Sequence, residues 1–231
     1  MKYLVVIPAR GGSKGIPHKN IKLLGGKPLI YYSIDIARQF TTDENICVTT
    51  DDAEIISVVE QNGLRVPFVR PAELATDTCG SSEVIQHAYQ FFVDKGVQYD
   101  AIVLLQPTSP FRKVEFIKEA VDLYDDSIDM VTSVRPATCN PYYDGFEDNE
   151  DGLLVISKGT GTIERRQDAP KVWQLNGSIY VINPKSLMEK GLAHFDRIRK
   201  YPMTDYYSID IDNTFDWKVA EMVLENKLVN L

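Results

Sequence analysis

Short runs of consecutive apolar residues alternate along the chain with longer segments in which apolar residues recur every three or four positions. Continuous apolar runs are typical of strands buried on both faces, and they predict strands at 3–7, 46–49, 101–105, 130–134 and 178–182. The helical spacing predicts five helices: one with Pro28 in its first turn, one from Asp52 to Gln61, one capped by Ser81, one from Val114 to Leu123 and one from about Thr214. This alternation favours an α/β fold, a mainly parallel sheet with helices on both faces.

The rhythm changes between about residues 137 and 176, where the chain is rich in Asn, Asp, Gly and charged residues. Only short pieces such as 153–156 have strand character there, so this stretch has little core of its own. We therefore predict a single α/β domain over 1–231 that carries an inserted arm at about 137–176. Such an arm is either a surface hairpin or a segment that packs against a partner subunit.

Composition and charge exclude several classes of protein. The 231 residues are 44% hydrophobic and 25% charged, which is ordinary for a globular protein, and the formal net charge is −8. Binding to nucleic acid depends on neutralising phosphates, so an acidic chain is a poor candidate for it. No apolar run has the length of a membrane span and no signal-peptide pattern is present, so we expect a cytoplasmic protein. The three cysteines, Cys47, Cys79 and Cys139, form neither a disulfide framework nor a zinc motif.

A glycine-rich basic loop follows the first strand directly. Residues 9–15 read Ala-Arg-Gly-Gly-Ser-Lys-Gly, which is neither a GxxxxGK[ST] loop nor a GxGxxG loop. Ligands of open parallel sheets lie beyond the carboxyl ends of the strands, and glycines let backbone N–H groups surround an anion. Arg10, Lys14 and Lys19 add positive charge. The loop therefore predicts a site for nucleotide phosphates, against the alternative of a basic surface turn.

Two acids near the C-terminus suggest a metal site. If 207–212 is a strand, Asp210 and Asp212 project from one face with their Cα atoms about 7 Å apart. Mg²⁺ is commonly held by one or two carboxylates together with substrate phosphates. A helix capped by Asn213 follows. These acids are predicted to hold Mg²⁺, against the alternative that they decorate a solvated strand end.

A third polar position ends the strand at 101–105. Residues 104–110 read Leu-Leu-Gln-Pro-Thr-Ser-Pro, and the two prolines fix the loop so that Gln106 can hold its amide toward a substrate. No residue stands out as a general base, because His18, His87 and His194 lie in unrelated settings.

Six motifs in order carry a resemblance that covers essentially the whole chain. They lie at 7–15, 19–20, 70–75, 105–110, 176–180 and 208–212, and the last two read Asn-Gly-Ser-Ile-Tyr and Ser-Ile-Asp-Ile-Asp. The chain resembles the cytidylyltransferases that activate nonulosonic acids, namely the N-acylneuraminate cytidylyltransferases and their CMP-legionaminic acid relatives. The resemblance implies a twisted, mainly parallel sheet of the nucleotide-diphospho-sugar transferase type with a small dimerisation arm.

The resemblance also implies roles for individual residues. Catalysis would fall to Arg10, Lys14, Asp210 and Asp212, the last two as Mg²⁺ ligands. The residues implied to bind CTP are Ala9, Arg10, Lys14, Lys19, Asn20, Arg70, Cys79 and Ser81. The residues implied to bind the acidic nine-carbon sugar are Gln106, Arg166, Asn176 and Tyr180, with Arg166 supplied across a homodimer.

The implied reaction is transfer of CMP from CTP to the anomeric hydroxyl of the sugar, with release of pyrophosphate. Several sialic acid enzymes carry a lysine near the stretch at 140–143, which here reads Asn-Pro-Tyr-Tyr and is similar to the legionaminic branch, so the identity of the sugar stays open. Two alternatives are a 3-deoxy-manno-octulosonate cytidylyltransferase and a non-catalytic nucleotide-binding protein on the same scaffold.

Overall fold

The structure is a computed structural model that describes residues 1–13, 15–76 and 78–231. Its strands are β1 (Tyr3–Pro8), β2 (Leu23–Leu24), β3 (Lys27–Pro28), β4 (Ile46–Thr49), β5 (Ala101–Leu105), β6 (Met130–Pro136), β7 (Phe146–Asp148), β8 (Leu154–Ile156), β9 (Trp173–Ile182) and β10 (Ile198–Pro202). Its α-helices are α1 (Leu29–Phe40), α2 (Ala53–Gln61), α3 (Ser81–Val93), α4 (Val114–Asp122), α5 (Pro184–Lys190) and α6 (Thr214–Glu225).

The main sheet has six strands in the order β10–β6–β9–β5–β1–β4. β1 pairs in parallel with β4 and β5, and β10 pairs in parallel with β6. β9 lies antiparallel between β5 and β6. The predicted α/β fold with a mainly parallel sheet is confirmed.

Helices cover both faces of this sheet because the central strands are apolar on both sides. Val5 and Ile7 of β1 belong to a core that includes residues of α1, α2 and α4. Leu4 and Val6 point to the other face, where the core includes residues of α3 and α5. α6 packs through Trp217 in a third cluster near the N-terminal loop. Within the described ranges no helix has the length and apolar character needed to cross a bilayer.

The starts of two helices differ slightly from the prediction. Pro28 is not in the first turn of α1: it precedes the helix as an extended N-cap residue, and the helix begins at Leu29. Ser81 does not cap α3 but is its first residue, and Gly80 occupies the N-cap position without a side-chain cap. Both shifts are of one residue and leave the predicted apolar faces in place.

The predicted strand at 207–212 is wrong. A 3-10 turn spans Asp205–Tyr207, where the Ser208 N–H donates to the Asp205 carbonyl at 3.0 Å. Residues 208–212 do not form a strand; the Ile211 N–H donates to the Thr108 carbonyl at 2.8 Å. The edge of the sheet is formed instead by β10, which was not predicted because its charged, mostly exposed sequence lacks an apolar run.

Residues 137–172 lie outside the main sheet and contain the antiparallel hairpin of β7 and β8. β9 already begins at Trp173, inside the stretch predicted as the arm. The hairpin and the outer end of β9 carry exposed apolar side chains, namely Phe146, Leu153, Leu154, Val155, Trp173 and Leu175.

A buried carboxylate at the start of β6 provides a test of stability. Asp129 is 3% exposed, and its Oδ2 accepts hydrogen bonds from Lys190 Nζ at 2.9 Å and from the N–H groups of Asp196 and Arg197 at 3.1 and 3.0 Å. Burial alone would raise the pKa of Asp129, but the hydrogen bonds from Lys190, Ser186 and the two N–H groups outweigh it and hold that pKa well below its usual range.

We predict that Asp129→Asn lowers the free energy of unfolding by about 2 kcal/mol at pH 7, because a charged acceptor is lost from three donors. A depressed folded-state pKa gives stability that is present above the unfolded pKa of about 4 and is lost as the pH falls below it. The wild type should therefore lose more stability between pH 6 and pH 3 than the variant, as measured by urea unfolding. Asp196→Asn, at an exposed partner of Lys190, is the matched control. Identical pH slopes in wild type and Asp129→Asn would contradict this assignment.

Candidate active site

A cavity of about 430 Å³ opens at the carboxyl ends of β1 and β5. It is lined by Pro8, Arg10, Ser13, Gly15, Lys19, Asn20, Arg70, Leu74, Thr76, Cys79, Gly80, Ser81, Val84, Ile85, Leu104, Gln106, Pro107, Thr108 and Asp212. The structure thus brings together eight residues of the predicted site, namely Arg10, Lys19, Asn20, Arg70, Cys79, Ser81, Gln106 and Asp212. Lys14, predicted to bind phosphate, lies outside the described residues.

The glycine loop is pressed between two other parts of the chain. A Cβ added to Gly11 would lie 2.1 Å from Oδ2 of Asp52, the N-cap residue of α2. A Cβ added to Gly15 would lie 2.0 Å from the backbone oxygen of Asp212. Only glycine allows approaches this close, so the loop lies directly against the acidic segment 210–212.

Lys19 connects the same two segments. Its side chain is buried, its Nζ donates to the Ile211 carbonyl at 2.6 Å, and it lies 3.5 Å from Oδ1 of Asp212. The neighbouring Asn20 donates from Nδ2 to the Arg10 carbonyl at 3.1 Å and so holds the start of the loop. The predicted cationic loop and the predicted acids therefore form one site, although they are about 200 residues apart in sequence.

The wall on the β4 side is held by a buried arginine. Arg70 donates from Nε to Thr49 Oγ1 at 3.1 Å, from Nη1 to the Leu74 carbonyl at 3.5 Å, and from Nη2 to the Thr49 carbonyl. Burial lowers the pKa of Arg70, and the charge of Asp51 opposes that shift. Ala9 does not line the cavity: it is 1% exposed and its N–H donates to the Thr49 carbonyl at 3.0 Å, so that N–H is not free for a ligand.

The two acids differ in exposure. Asp212 has a side chain that is 76% exposed and faces the cavity, whereas Asp210 is half-buried. Burial raises the pKa of Asp210 and the charge of Asp212 adds to the shift, while hydrogen bonds from Thr108 and Ser109 and the charge of Lys19 oppose it. The two carboxylates are thus close enough to repel each other, a repulsion that a bound cation would relieve.

A left-handed glycine in β9 makes room for three polar side chains. Gly177 has φ of 71°, which favours glycine, at the irregularity in the pairing of β9 with β6. A Cβ there would lie 2.8 Å from Ser109 Oγ, 3.0 Å from Asp210 Oδ2 and 3.2 Å from Gln106 Oε1. Ser109 Oγ in turn lies 3.4 Å from Asp210 Oδ1. The turn at Gly177 therefore gathers Gln106, Ser109 and Asp210 beside the cavity.

Two residues of β9 that were predicted to contact the sugar, Asn176 and Tyr180, lie outside the cavity lining. Asn176 is 2% exposed, and its side chain accepts from Ser133 Oγ at 2.6 Å and donates to Ser208 Oγ at 2.9 Å. Its amide is therefore used inside the protein, and it supports the turn at Gly177 rather than presenting a group to a ligand. Tyr180 is half-buried; burial, reinforced by Asp210, raises its pKa to about 12.

Arg166 lies on the segment outside the main sheet and is exposed. Its Nη2 lies 3.3 Å from Asp144 Oδ2 and donates to the Thr138 carbonyl at 3.1 Å. It does not line the cavity of its own chain. Its predicted contribution to a neighbouring subunit stays a prediction.

A family model of known proteins matches most of the chain. Residues 4–216 match the family model described as Cytidylyltransferase. The chain belongs to the cytidylyltransferase family.

Several named relatives are similar over nearly the whole chain. The CMP-N,N'-diacetyllegionaminic acid synthase of Legionella pneumophila is 37% identical, with 97% of each chain covered. The pseudaminic acid cytidylyltransferase of Campylobacter jejuni is 30% identical, with 96% of each covered. The N-acylneuraminate cytidylyltransferase of Escherichia coli is 33% identical over 98% of this chain and 53% of its own length. The resemblance inferred from the six motifs is confirmed.

Solved structures agree at the level of the fold. A CMP:2-keto-3-deoxy-manno-octonic acid synthetase complexed with CTP aligns with a TM-score of 0.71 at 17% identity, covering 98% of this chain and 100% of that one. A putative glucose-1-phosphate thymidylyltransferase from Bacillus anthracis aligns with a TM-score of 0.65 at 12% identity, covering 99% of this chain and 97% of that one. The nucleotidyltransferase type of fold is thereby confirmed.

Sequence reasoning missed three residues that hold this cytidylyltransferase site together. Ser109 and Gly177 lie in the motifs that were noted for Gln106 and Tyr180. They were missed because they are far apart in sequence and come into contact only in the folded chain. Arg112 is buried beneath the loop at 106–110 and was not singled out. The sequence offers no signal for it, because Arg112 stands beside Lys113 like any basic surface pair.

Proposed function

We propose that the protein transfers CMP from CTP to the anomeric hydroxyl of a nonulosonic acid and releases pyrophosphate. Membership of the family supports the reaction type, and the names of the three relatives support the acceptor class. The single observation that carries the proposal is the junction of the glycine loop and the acidic segment through Gly15 and Lys19.

The cavity offers a nucleotide both cationic and apolar lining residues. Arg10 and Lys19 supply positive charge on one side for the triphosphate, in a chain whose formal net charge is −8. Arg70, fixed by Thr49 of β4, lines the same cavity as residues of α3, where the base and ribose would lie. Lys14 is proposed to join the phosphate-binding cations on the basis of the loop motif.

The two acids fit a Mg²⁺ ion. No group of three or more His, Cys, Asp or Glu side chains forms a metal cluster among the residues that the structure describes. Two mutually repelling carboxylates beside a phosphate site are nevertheless the ligand set that Mg²⁺ uses together with substrate phosphates. We propose that Asp210 and Asp212 hold Mg²⁺, which when bound would neutralise charge on the triphosphate.

The remaining chemistry is positioning and electrostatics. The sugar hydroxyl would attack the α-phosphorus in line with the departing pyrophosphate, and Arg10 and Lys19 would stabilise the charge that develops on the phosphates. Gln106, held at the end of β5, would orient the sugar beside Asp210.

We propose that the active form is a cytoplasmic homodimer. The exposed apolar residues of the hairpin and of the outer end of β9 support a partner surface there. Arg166 lies on the same segment, and a guanidinium binds a carboxylate through two parallel hydrogen bonds. Supplied by the partner, it would bind the sugar carboxylate.

The acceptor is tested by assaying pyrophosphate release from CTP and Mg²⁺ with legionaminic, neuraminic, pseudaminic and 3-deoxy-manno-octulosonic acids. We expect the highest kcat/KM with N,N'-diacetyllegionaminic acid, because the stretch at 140–143 and the 37% identical relative both favour that branch. Turnover with the octulosonic acid alone would favour the eight-carbon alternative. No turnover with any acceptor would favour a non-catalytic nucleotide-binding protein.

The metal assignment is tested by Asp212→Asn. The side chain is exposed, so we expect an unchanged melting temperature and a loss of turnover on the order of 100-fold or more, since a charged ligand beside the phosphates is removed. Pyrophosphate release is measured at saturating CTP over a range of Mg²⁺ concentrations. Asp205→Asn, an exposed acid outside the cavity, is the control. Wild-type turnover in Asp212→Asn would remove the metal assignment.

A further inference from the structure

Arg112 is a cation buried in the middle of the protein. It is only 1% exposed and ranks among the largest fully buried side chains. None of the ion pairs found among residues 1–13, 15–76 and 78–231 involves it. A buried charge is costly unless hydrogen bonds compensate it, so its contacts explain why it is there.

The guanidinium joins three elements of the fold. Nε donates to Ser178 Oγ on β9 at 3.2 Å, Nη1 donates to Ser33 Oγ on α1 at 2.8 Å, and Nη2 donates to the Gln106 carbonyl at 2.6 Å. The donors of a guanidinium lie in a rigid plane, which fixes the acceptors relative to one another.

Two of these acceptors border the active site. Gln106 lines the cavity and immediately follows β5. Ser178 follows Gly177, and a Cβ added to Gly177 would lie 3.2 Å from Gln106 Oε1 and 3.0 Å from Asp210 Oδ2. Burial lowers the pKa of Arg112, and the charge of the Asp210 carboxylate opposes that shift.

We propose that Arg112 is a positioning residue for CMP transfer: it fixes Gln106 against the Gly177 turn of β9 and so sets the acceptor side of the site relative to Asp210. This inference rests on the proposed function. Two cations of the cavity, Lys19 and Arg70, donate to Ile211, Thr49 and Leu74, whereas Arg112 donates to a separate set of acceptors on Ser33, Gln106 and Ser178. Loss of Arg112 should therefore affect the sugar more than CTP.

The experiment compares Arg112→Lys, Arg112→Met and Ser178→Ala with the wild type. Each is assayed for kcat and KM with the acceptor, for the Kd of CTP by calorimetry, and for melting temperature. Lys190→Met is the matched control, because it removes a hydrogen-bonded lysine from Asp129 at the other end of the sheet. Ser178→Ala removes only the hydrogen bond from Arg112 Nε. It therefore tests the positioning role even if the Arg112 variants do not fold.

We expect Arg112→Lys to lower kcat/KM for the acceptor about 10- to 100-fold, since small displacements of a site have effects of that size, with the CTP Kd changed less than about twofold. Arg112→Met should lose more and Ser178→Ala less, both with the same selectivity for the acceptor. Lys190→Met should keep the wild-type kinetic constants.

Equal losses for CTP and acceptor, or lower melting temperatures with unchanged acceptor kinetics, would overturn the positioning role and leave Arg112 as a structural residue. A wild-type protein that releases no pyrophosphate with any acceptor overturns the proposed function, and this inference with it. An active wild type with unaffected variants overturns this inference alone.

Discussion

One buried ammonium group holds the two ends of the site together. Lys19 reaches from the loop after β1 to the Ile211 carbonyl at 2.6 Å and lies 3.5 Å from the carboxylate of Asp212. A lysine that is 9% exposed keeps its charge at low cost only if oxygen atoms surround it, and the acidic segment supplies them. The close approach of the Gly15 and Asp212 backbones joins the same two segments through backbone atoms alone. Everything proposed for the cavity depends on this junction.

The junction also concentrates charge in a chain that is acidic as a whole. Asp210 and Asp212 repel each other beside the cations of the glycine loop. The site therefore contains a negatively charged group, the two acids, next to a positively charged group, the loop cations. A magnesium triphosphate carries the complementary arrangement, with a metal to meet the carboxylates and phosphates to meet Arg10 and Lys19. The turn at Gly177 brings Gln106 and Asp210 close together, so the nucleotide and acceptor sides proposed for the site would share one carboxylate, Asp210.

Local sequence patterns predicted the central strands, the two charged groups and every α-helix described except the short α5, because continuous apolar runs and glycine-rich loops act over a few residues. The edge strand β10 was missed because its side chains are charged and mostly exposed. The segment 207–212 alternates like a strand, yet its place is set by contacts with Thr108 and Lys19. Asn176 and Arg112 show the same limit, since their partners lie on other strands and helices and no spacing in the sequence indicates them.

The most direct test is the affinity for CTP in the presence of Mg²⁺, measured by calorimetry in Gly15→Ala and Gly12→Ala. A Cβ at Gly15 would lie 2.0 Å from the Asp212 backbone oxygen, whereas one at Gly12 would have nothing within 4 Å among the described residues beyond its chain neighbours. Overpacking of this kind costs about 1–3 kcal/mol, so Gly15→Ala should weaken binding roughly tenfold or more, and Gly12→Ala should weaken it less. Wild-type affinity in a folded Gly15→Ala protein would contradict the claim that the loop and the acids form one nucleotide site.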